Sequence, residues 1–319
     1  MKSDGTRLRK ALTADEVSKS ALKAAVRAGR DALSSGLEAR LASLGVFRDG
    51  KRIAREAVAD QWTAQRVRPG IEAALDRWEQ QGFNAGAAVD RFIREASYTW
   101  LNRLSAIRAL EVRGLSRPIA SLDKSHRPSI VALVAEVSPA LMQAREVAEE
   151  LLWEGVFGEL ALQVGALFDP LDPHGVFPGS SAVLGALQAL EAVDEAIWRE
   201  DDTLGWLYQF FTTKDERAML RKKKGAAFTA DDLGPINQFY TPGWVVRFLV
   251  DNTLGTLWRR MHPQTTIADF CALMLPATDD DTPLPAKRAR DLRIIDPACG
   301  AMHFGVYAFD VMPHECWLH

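Results

Sequence analysis

Two short stretches carry residues whose types and spacing could hold a small cofactor. One is Asp296-Pro297-Ala298-Cys299-Gly300, followed by Ala301-Met302-His303-Phe304. It comes directly after the apolar run Leu292 to Ile295, the clearest buried-strand signal in the chain. A buried strand, a tight turn of small residues and a helix make the ligand edge of a doubly wound α/β sheet. Small residues let the backbone approach a bound molecule closely. An acid at the strand's end can accept hydrogen bonds from a cationic amino group or a hydroxyl. An ordinary strand–turn–helix corner uses the same residues, so both readings stay open at this point.

The other stretch is Asn237-Gln238-Phe239-Tyr240-Thr241-Pro242. Proline suits the first turn of a helix, and a preceding threonine can cap the free N–H groups there. The spacing therefore predicts a helix capped by Thr241 with Pro242 in its first turn. A plain capped helix with an aromatic staple accounts for these residues as well as a ligand-closing turn does.

In this order the two stretches resemble motif X and motif I of adenine-N6 DNA methyltransferases with the gamma-type arrangement. The resemblance implies S-adenosylmethionine as cofactor. Tyr240, Thr241 and Pro242 would close over its methionine end, and Asp296, Ala298, Cys299 and Gly300 would lie along it. Phe304 would pack behind the loop. One departure stands out: the family usually has Ser-Gly after the first glycine, where this chain has Ala301-Met302.

The resemblance extends from about Asn84 to Met312. Ser97 to Leu104, Phe168-Asp169-Pro170 and Leu204 to Phe211 are similar to the helical N-terminal region of large phage-defence methyltransferases. Those are the enzymes of the BREX PglX kind, their DISARM relatives and type IIG restriction–modification enzymes. The implied activity is methyl transfer to adenine N6 after the base is flipped from double-stranded DNA. The implied partners are double-stranded DNA and other defence-system proteins.

That chemistry needs an Asp/Asn-Pro-Pro-Tyr/Phe loop, and no Pro-Pro dipeptide occurs in the chain. No catalytic residue is therefore assigned. The expectation is an N-terminal fragment, inactive alone, whose tail from Pro313 to His319 reads as a lost frame or a truncated gene. A different class of function fits the helical region: a non-catalytic DNA-binding or assembly module.

The elements that must position these stretches read as mainly α. Residues 1–203 are expected to form a helical region. Residues 204–319 are expected to form the first strand–turn–helix of an incomplete Rossmann-like, S-adenosylmethionine-dependent methyltransferase domain. Thr13 with Glu16 suggests a capping box. Leu33, Leu37, Leu41 and Leu44 repeat at helical spacing before Gly45. A second helix is expected from about Asn84 to Glu111, closed by Gly114, with Phe92, Ala96, Leu104 and Ile107 near one face. A third region follows Pro128 and breaks at Ser138-Pro139. Asp169 to Gly175 is a loop. One helix should then carry Val183, Leu187, Leu190, Val193 and Ile197, and another should run from Trp244 to Trp258. Ile294 and Ile295 should be exposed unless other elements cover them.

The 319 residues are 47% hydrophobic, enough for a packed core, and the formal net charge of -3 excludes DNA binding through bulk charge. A local basic run, Arg221 to Lys224, could neutralise phosphates or simply be solvated. Three scattered cysteines give neither a disulfide framework nor a zinc spacing, so no metal is expected. The aromatic spacing of Leu204 to Phe211 suits helix core better than base stacking. Without a signal peptide or a membrane-length apolar run, the sequence reads as cytoplasmic.

Overall fold

The computed structural model describes residues 3–200, 202–222, 241–278, 281–297, 299 and 302–312. It divides into two compact units, Met1–Ile236 and Asn237–His319. Both are built from helices, and among the described residues there is no strand.

In the first unit the helices are α1 (Ser3–Ser43), α2 (Gln61–Gln80), α3 (Ala85–Val112), α4 (Ser129–Val137) and α5 (Arg145–Ala161). They continue with α6 (Gly165–Phe168), α7 (Ser180–Glu191), α8 (Glu195–Arg199), α9 (Thr203–Phe211) and α10 (Lys214–Lys222). Helix α1 packs on α3, α7 and α9. Its leucine row is the reason: Leu33, Leu37, Leu41 and Leu44 are at most 1% exposed. Each such side chain stabilises the fold by about 1.5–3 kcal/mol relative to exposure. Gly45, at φ +79°, ends the helix. The Val46 N–H donates to the Leu41 carbonyl and the Gly45 N–H to the Ala42 carbonyl, satisfying groups that the helix end would leave bare. Where α1 meets α7, a Cβ on Gly36 would lie 2.3 Å from the Ala182 Cβ, so the two backbones touch through small residues.

Helix α3 begins as its sequence predicts: the Asn84 side chain accepts the Ala87 N–H. Phe92, Ala96, Leu104 and Ile107 are all fully buried. Trp100 anchors the same helix, donating from its indole to the Val176 carbonyl at 2.8 Å and meeting Phe157 edge-on at 5.1 Å. The expected break falls between α4 and α5, where Pro139 opens a short 3-10 turn.

Two helical expectations are corrected. Thr13 and Glu16 lie inside α1, which starts at Ser3, so they do not open a helix. The segment carrying Val183 to Ile197 is two helices, α7 and α8. The side chain of Asp194 interrupts it by capping the Ala196 N–H.

The second unit contains α11 (Gly243–Val250), a π turn (Asp251–Gly255), α12 (Thr256–Met261), α13 (Ile267–Phe270) and α14 (His303–Val311). Val246, Val250, Leu254, Trp258, Met261, Ile267, Cys271, Ala308 and Val311 form its core. Of the apolar-face row that the sequence suggests for this helix, Val245, Leu249, Thr253 and Leu257, Val245 is half-buried and the other three are exposed; the buried row sits one position later.

Leu292 to Ile295 is not a strand. A strand needs a neighbour for its ladder, and the described residues offer none. Ile294 and Ile295 are 60% and 88% exposed, as expected for an apolar run without a cover.

Candidate functional site

The three stretches that resemble phage-defence methyltransferases outside the cofactor motifs converge in the first unit, and there they make core. Tyr98 meets Phe211 edge-on at 4.8 Å and Tyr208 at 5.5 Å. Arg103, 2% exposed, donates from Nε to the Leu167 carbonyl and from a terminal nitrogen to the Asp169 carbonyl, both at 3.0 Å. Burial lowers its pKa, while the charges of Asp172 and Asp169 act the other way. The helix-core reading of Leu204 to Phe211 therefore holds, with Leu207 and Phe211 buried.

The cofactor candidates belong to the second unit. Thr241, Pro242, Asp296 and Cys299 are described; Tyr240, Ala298 and Gly300 lie outside the described residues. Helix α11 opens one position later than its sequence predicts. Pro242 itself is the capping residue, and its carbonyl accepts the Val245 and Val246 N–H groups. Thr241 precedes the cap and makes no capping bond.

In the other stretch Asp296 is half-buried and Cys299 is exposed. The Met302 N–H closes a turn on the Cys299 carbonyl at 2.7 Å, and the Met302 carbonyl receives the Val306 N–H at 2.8 Å. Met302 stands at φ +64°, ψ +25°, in the left-handed region that favours glycine. This is the position where the resembled family has its second glycine. The chain therefore keeps the turn and bears the cost of a Cβ there, roughly 1–2 kcal/mol.

The helices behind the two stretches pack against each other. Arg247 of α11 sits over the Tyr307 ring of α14, 5.9 Å from its centroid. Each of these residues is about one turn, some 6 Å, from the start of its helix. The two turns thus lead into helices that pack on each other.

Between the helices lies a polar knot that the sequence did not flag. Asp251 is fully buried in the π turn, where the wider spiral carries it to the buried side beside Val250 and Leu254. The Tyr307 hydroxyl donates to one of its oxygens and the Leu273 N–H to the other, both at 2.9 Å. Burial, then the hydrogen bond to Asp251, holds the Tyr307 phenol well above its ordinary range. Burial, then the charge of Asp251 beside it, pushes the Cys271 thiol up to about 12. Next door, the Asn252 amide donates to the Phe248 and Leu273 carbonyls and accepts the Leu275 N–H. Phe270 stacks on Tyr307 with centroids 6.1 Å apart. The knot ties the first stretch's helix, the 271–275 segment and the second stretch's helix together. The available signal was an Asp-Asn pair inside an apolar helical run, a local rule broken without a visible reason.

The class that the sequence resembles, the adenine-specific methyltransferases, is met again when the chain is compared with known proteins. The likeness is shown along the chain: it is similar to BREX methyltransferases of the PglX kind. It is 26% identical over 278 residues to the adenine-specific methyltransferase BrxX of Escherichia coli O9:H4 (strain HS), covering 76% of this chain and 22% of that protein. It is 26% identical over 356 residues to the adenine-specific methyltransferase PglX of Lacticaseibacillus casei (strain Zhang), covering 92% of this chain and 29% of that protein. The chain thus spans less than a third of the length of either relative. No family model matches it. Among the described residues no His, Cys, Asp and Glu side chains group as a metal site, and no helix is long and apolar enough to cross a membrane.

Proposed function

We propose that this chain carries the cofactor-holding start of an adenine-specific DNA methyltransferase that works in phage defence or restriction–modification. Residues 1–203 serve as its helical region, and residues 204–319 begin its Rossmann-like domain. The observation that carries the reading is the packing of α11 and the π turn after it on α14 through Arg247, Asp251 and Tyr307, which ties together the helices that follow the two motifs. The left-handed turn at Met302, already in the conformation of a glycine loop, also fits a bound cofactor.

S-adenosylmethionine would supply the methyl group for adenine N6 of double-stranded DNA. Thr241 and Pro242, with Tyr240, cover its methionine end. Asp296 and Cys299, with Ala298 and Gly300, lie along it. The carboxylate of Asp296 accepts hydrogen bonds from its amino or hydroxyl groups, and the open N-terminal turn of α14 suits its carboxylate. Ile294 and Ile295 are the side chains that further strands and helices of the domain would cover. No residue of this chain takes the base, so the chain by itself transfers no methyl group, and its setting is the cytoplasm.

Calorimetric titration with S-adenosylmethionine tests the reading. Saturable binding that falls at least about tenfold, or 1.4 kcal/mol, in Asp296→Ala at unchanged helicity supports it. Equal binding by the two proteins, or none by the unsubstituted chain, rejects it.

A further inference from the structure

We infer that the first unit carries a duplex-DNA backbone surface of its own, a basic ridge formed by one flank of α1 together with α10. Lys19, Lys23 and Arg27 follow one another at four-residue spacing on α1, beside the buried row of Leu22, Val26 and Leu33. On α10, Lys214, Arg221 and Lys222 are exposed.

Bonds tie α9 and the start of α10 to α1. Arg30 donates to the Phe211 carbonyl at 2.9 Å and pairs with Glu216 at 3.3 Å, fixing the start of α10 against α1. Arg217 donates to the Gln209 carbonyl, tying the first turn of α10 to α9. The Lys19 ammonium lies 4.3 Å from the Trp206 ring centroid, closing α9 onto α1 at the other end.

The acids on these elements whose side chains are described are Asp31, Glu38 and Glu216, and each has a cationic partner. Asp31 lies 3.6 Å from Arg30, and Glu216 is bound by Arg30. Lys23, Arg27, Lys214, Arg221 and Lys222 make no ion pair among the described residues. Proteins usually intersperse surface charges of both signs, so unneutralised cations on a shared ridge mark a place for an anionic partner.

The form of the ridge chooses the partner. Its cations stand in a row along helix surfaces rather than around a pocket, which suits an extended chain of phosphates more than a discrete anion. Backbone contacts of this type supply affinity and register without reading sequence. The basic run Arg221 to Lys224 thereby gains a role: Arg221 and Lys222 belong to the ridge, and Lys223 and Lys224 lie outside the described residues. The inference rests on DNA being the substrate of the proposed enzyme. Its test uses neither cofactor nor methyl transfer, so the two readings fail separately.

The test is the salt dependence of binding between the whole chain and a short fluorescent DNA duplex. The ridge variant is Lys23→Gln/Arg27→Gln/Arg221→Gln. The control is Lys51→Gln/Arg77→Gln/Lys124→Gln, which removes equal charge from exposed sites elsewhere on the unit. Each phosphate contact contributes about 0.9 to the slope of log K against log salt, so the ridge variant should lose roughly 2.7 and the control none. Far-UV circular dichroism checks that both variants keep their helices. A ridge variant with the unsubstituted slope overturns the inference, as does an equal loss in the control. Equally tight, equally ridge-dependent binding to polyglutamate also overturns it, because the ridge would then be a dock for acidic protein.

Discussion

The buried hydrogen bond between Tyr307 and Asp251 should be the principal polar tie between the two motif helices. Tyr307→Phe removes one donor and keeps the ring, its stacking on Phe270 and its place under Arg247. The bond is 2.9 Å long, and its acceptor is a carboxylate with no exposure. A hydrogen bond to a charged group contributes about 1.5–3 kcal/mol, so a loss near 2 kcal/mol is expected. Asp251→Ala should cost more, about 3–5 kcal/mol, because it strands the Tyr307 hydroxyl and the Leu273 N–H in the core and leaves a small cavity. Asp251→Asn should cost about 1 kcal/mol, since its carbonyl can take the Leu273 N–H while its amide donates to the Tyr307 oxygen. Hydrogen exchange by mass spectrometry, read on peptides from the 243–278 and 303–312 segments, reports this unit without interference from the other. A loss of 2 kcal/mol accelerates exchange through opening about 30-fold. The double variant should be less destabilised than the sum of the single ones, by about 1–2 kcal/mol. Strict additivity, or exchange changed less than twofold in Asp251→Ala, refutes the claim that this knot ties the helices.

Four further outcomes follow from the same structure. Arg103→Ala should destabilise the first unit by about 2–4 kcal/mol in urea, because the Leu167 and Asp169 carbonyls lose their donor and the buried side chain leaves a cavity; a change under 0.5 kcal/mol would contradict the bonds drawn there. Cys299, exposed, should react with iodoacetamide at pH 8 long before buried Cys271, and equal rates in the folded chain would argue against the thiol's raised pKa. The same shift has a linkage sign. The folded Cys271 keeps its proton up to about 12, while the unfolded thiol releases it near 9, so its contribution is full below 9 and is lost between 9 and 12. The urea midpoint of the second unit should fall across that window, less so in Cys271→Ala. Finally, at φ +64° glycine should outperform alanine, with Met302→Gly about 1 kcal/mol more stable than Met302→Ala; the reverse order would place that residue outside the left-handed region.

Much of the first unit was legible because its signals are local. The α1 leucine row, Gly45, Asn84 and Gly114 each act within a turn or two, through burial or a cap, and the structure follows them. Where expectation and structure part, a longer-range or subtler effect decides. Thr13 and Glu16 look like a helix start only if the helix before them is overlooked. The Asp194 cap divides what apolar spacing alone joins into one helix. The buried row Val246, Val250, Leu254 and Trp258 sits one position after the row read from the sequence, because two equally apolar rows lie side by side on this helix and packing chooses between them. Leu292 to Ile295 has the composition of a strand, yet a ladder depends on partners and not on composition. The turn residues of the two motifs are read by resemblance alone. The knot behind them was not, because Asp251 and Tyr307 meet only through packing across 56 positions of sequence.

The central claim is that the two motif turns form one cofactor site. Ultraviolet cross-linking of methyl-labelled S-adenosylmethionine to the whole chain, followed by peptide mapping, tests it most directly. The account predicts label in peptides spanning residues 237–247 and 293–305, displaced together by excess unlabelled cofactor and lost from both in Asp296→Ala. Label confined to the first unit, or label in the motif peptides that Asp296→Ala leaves undiminished, would contradict it.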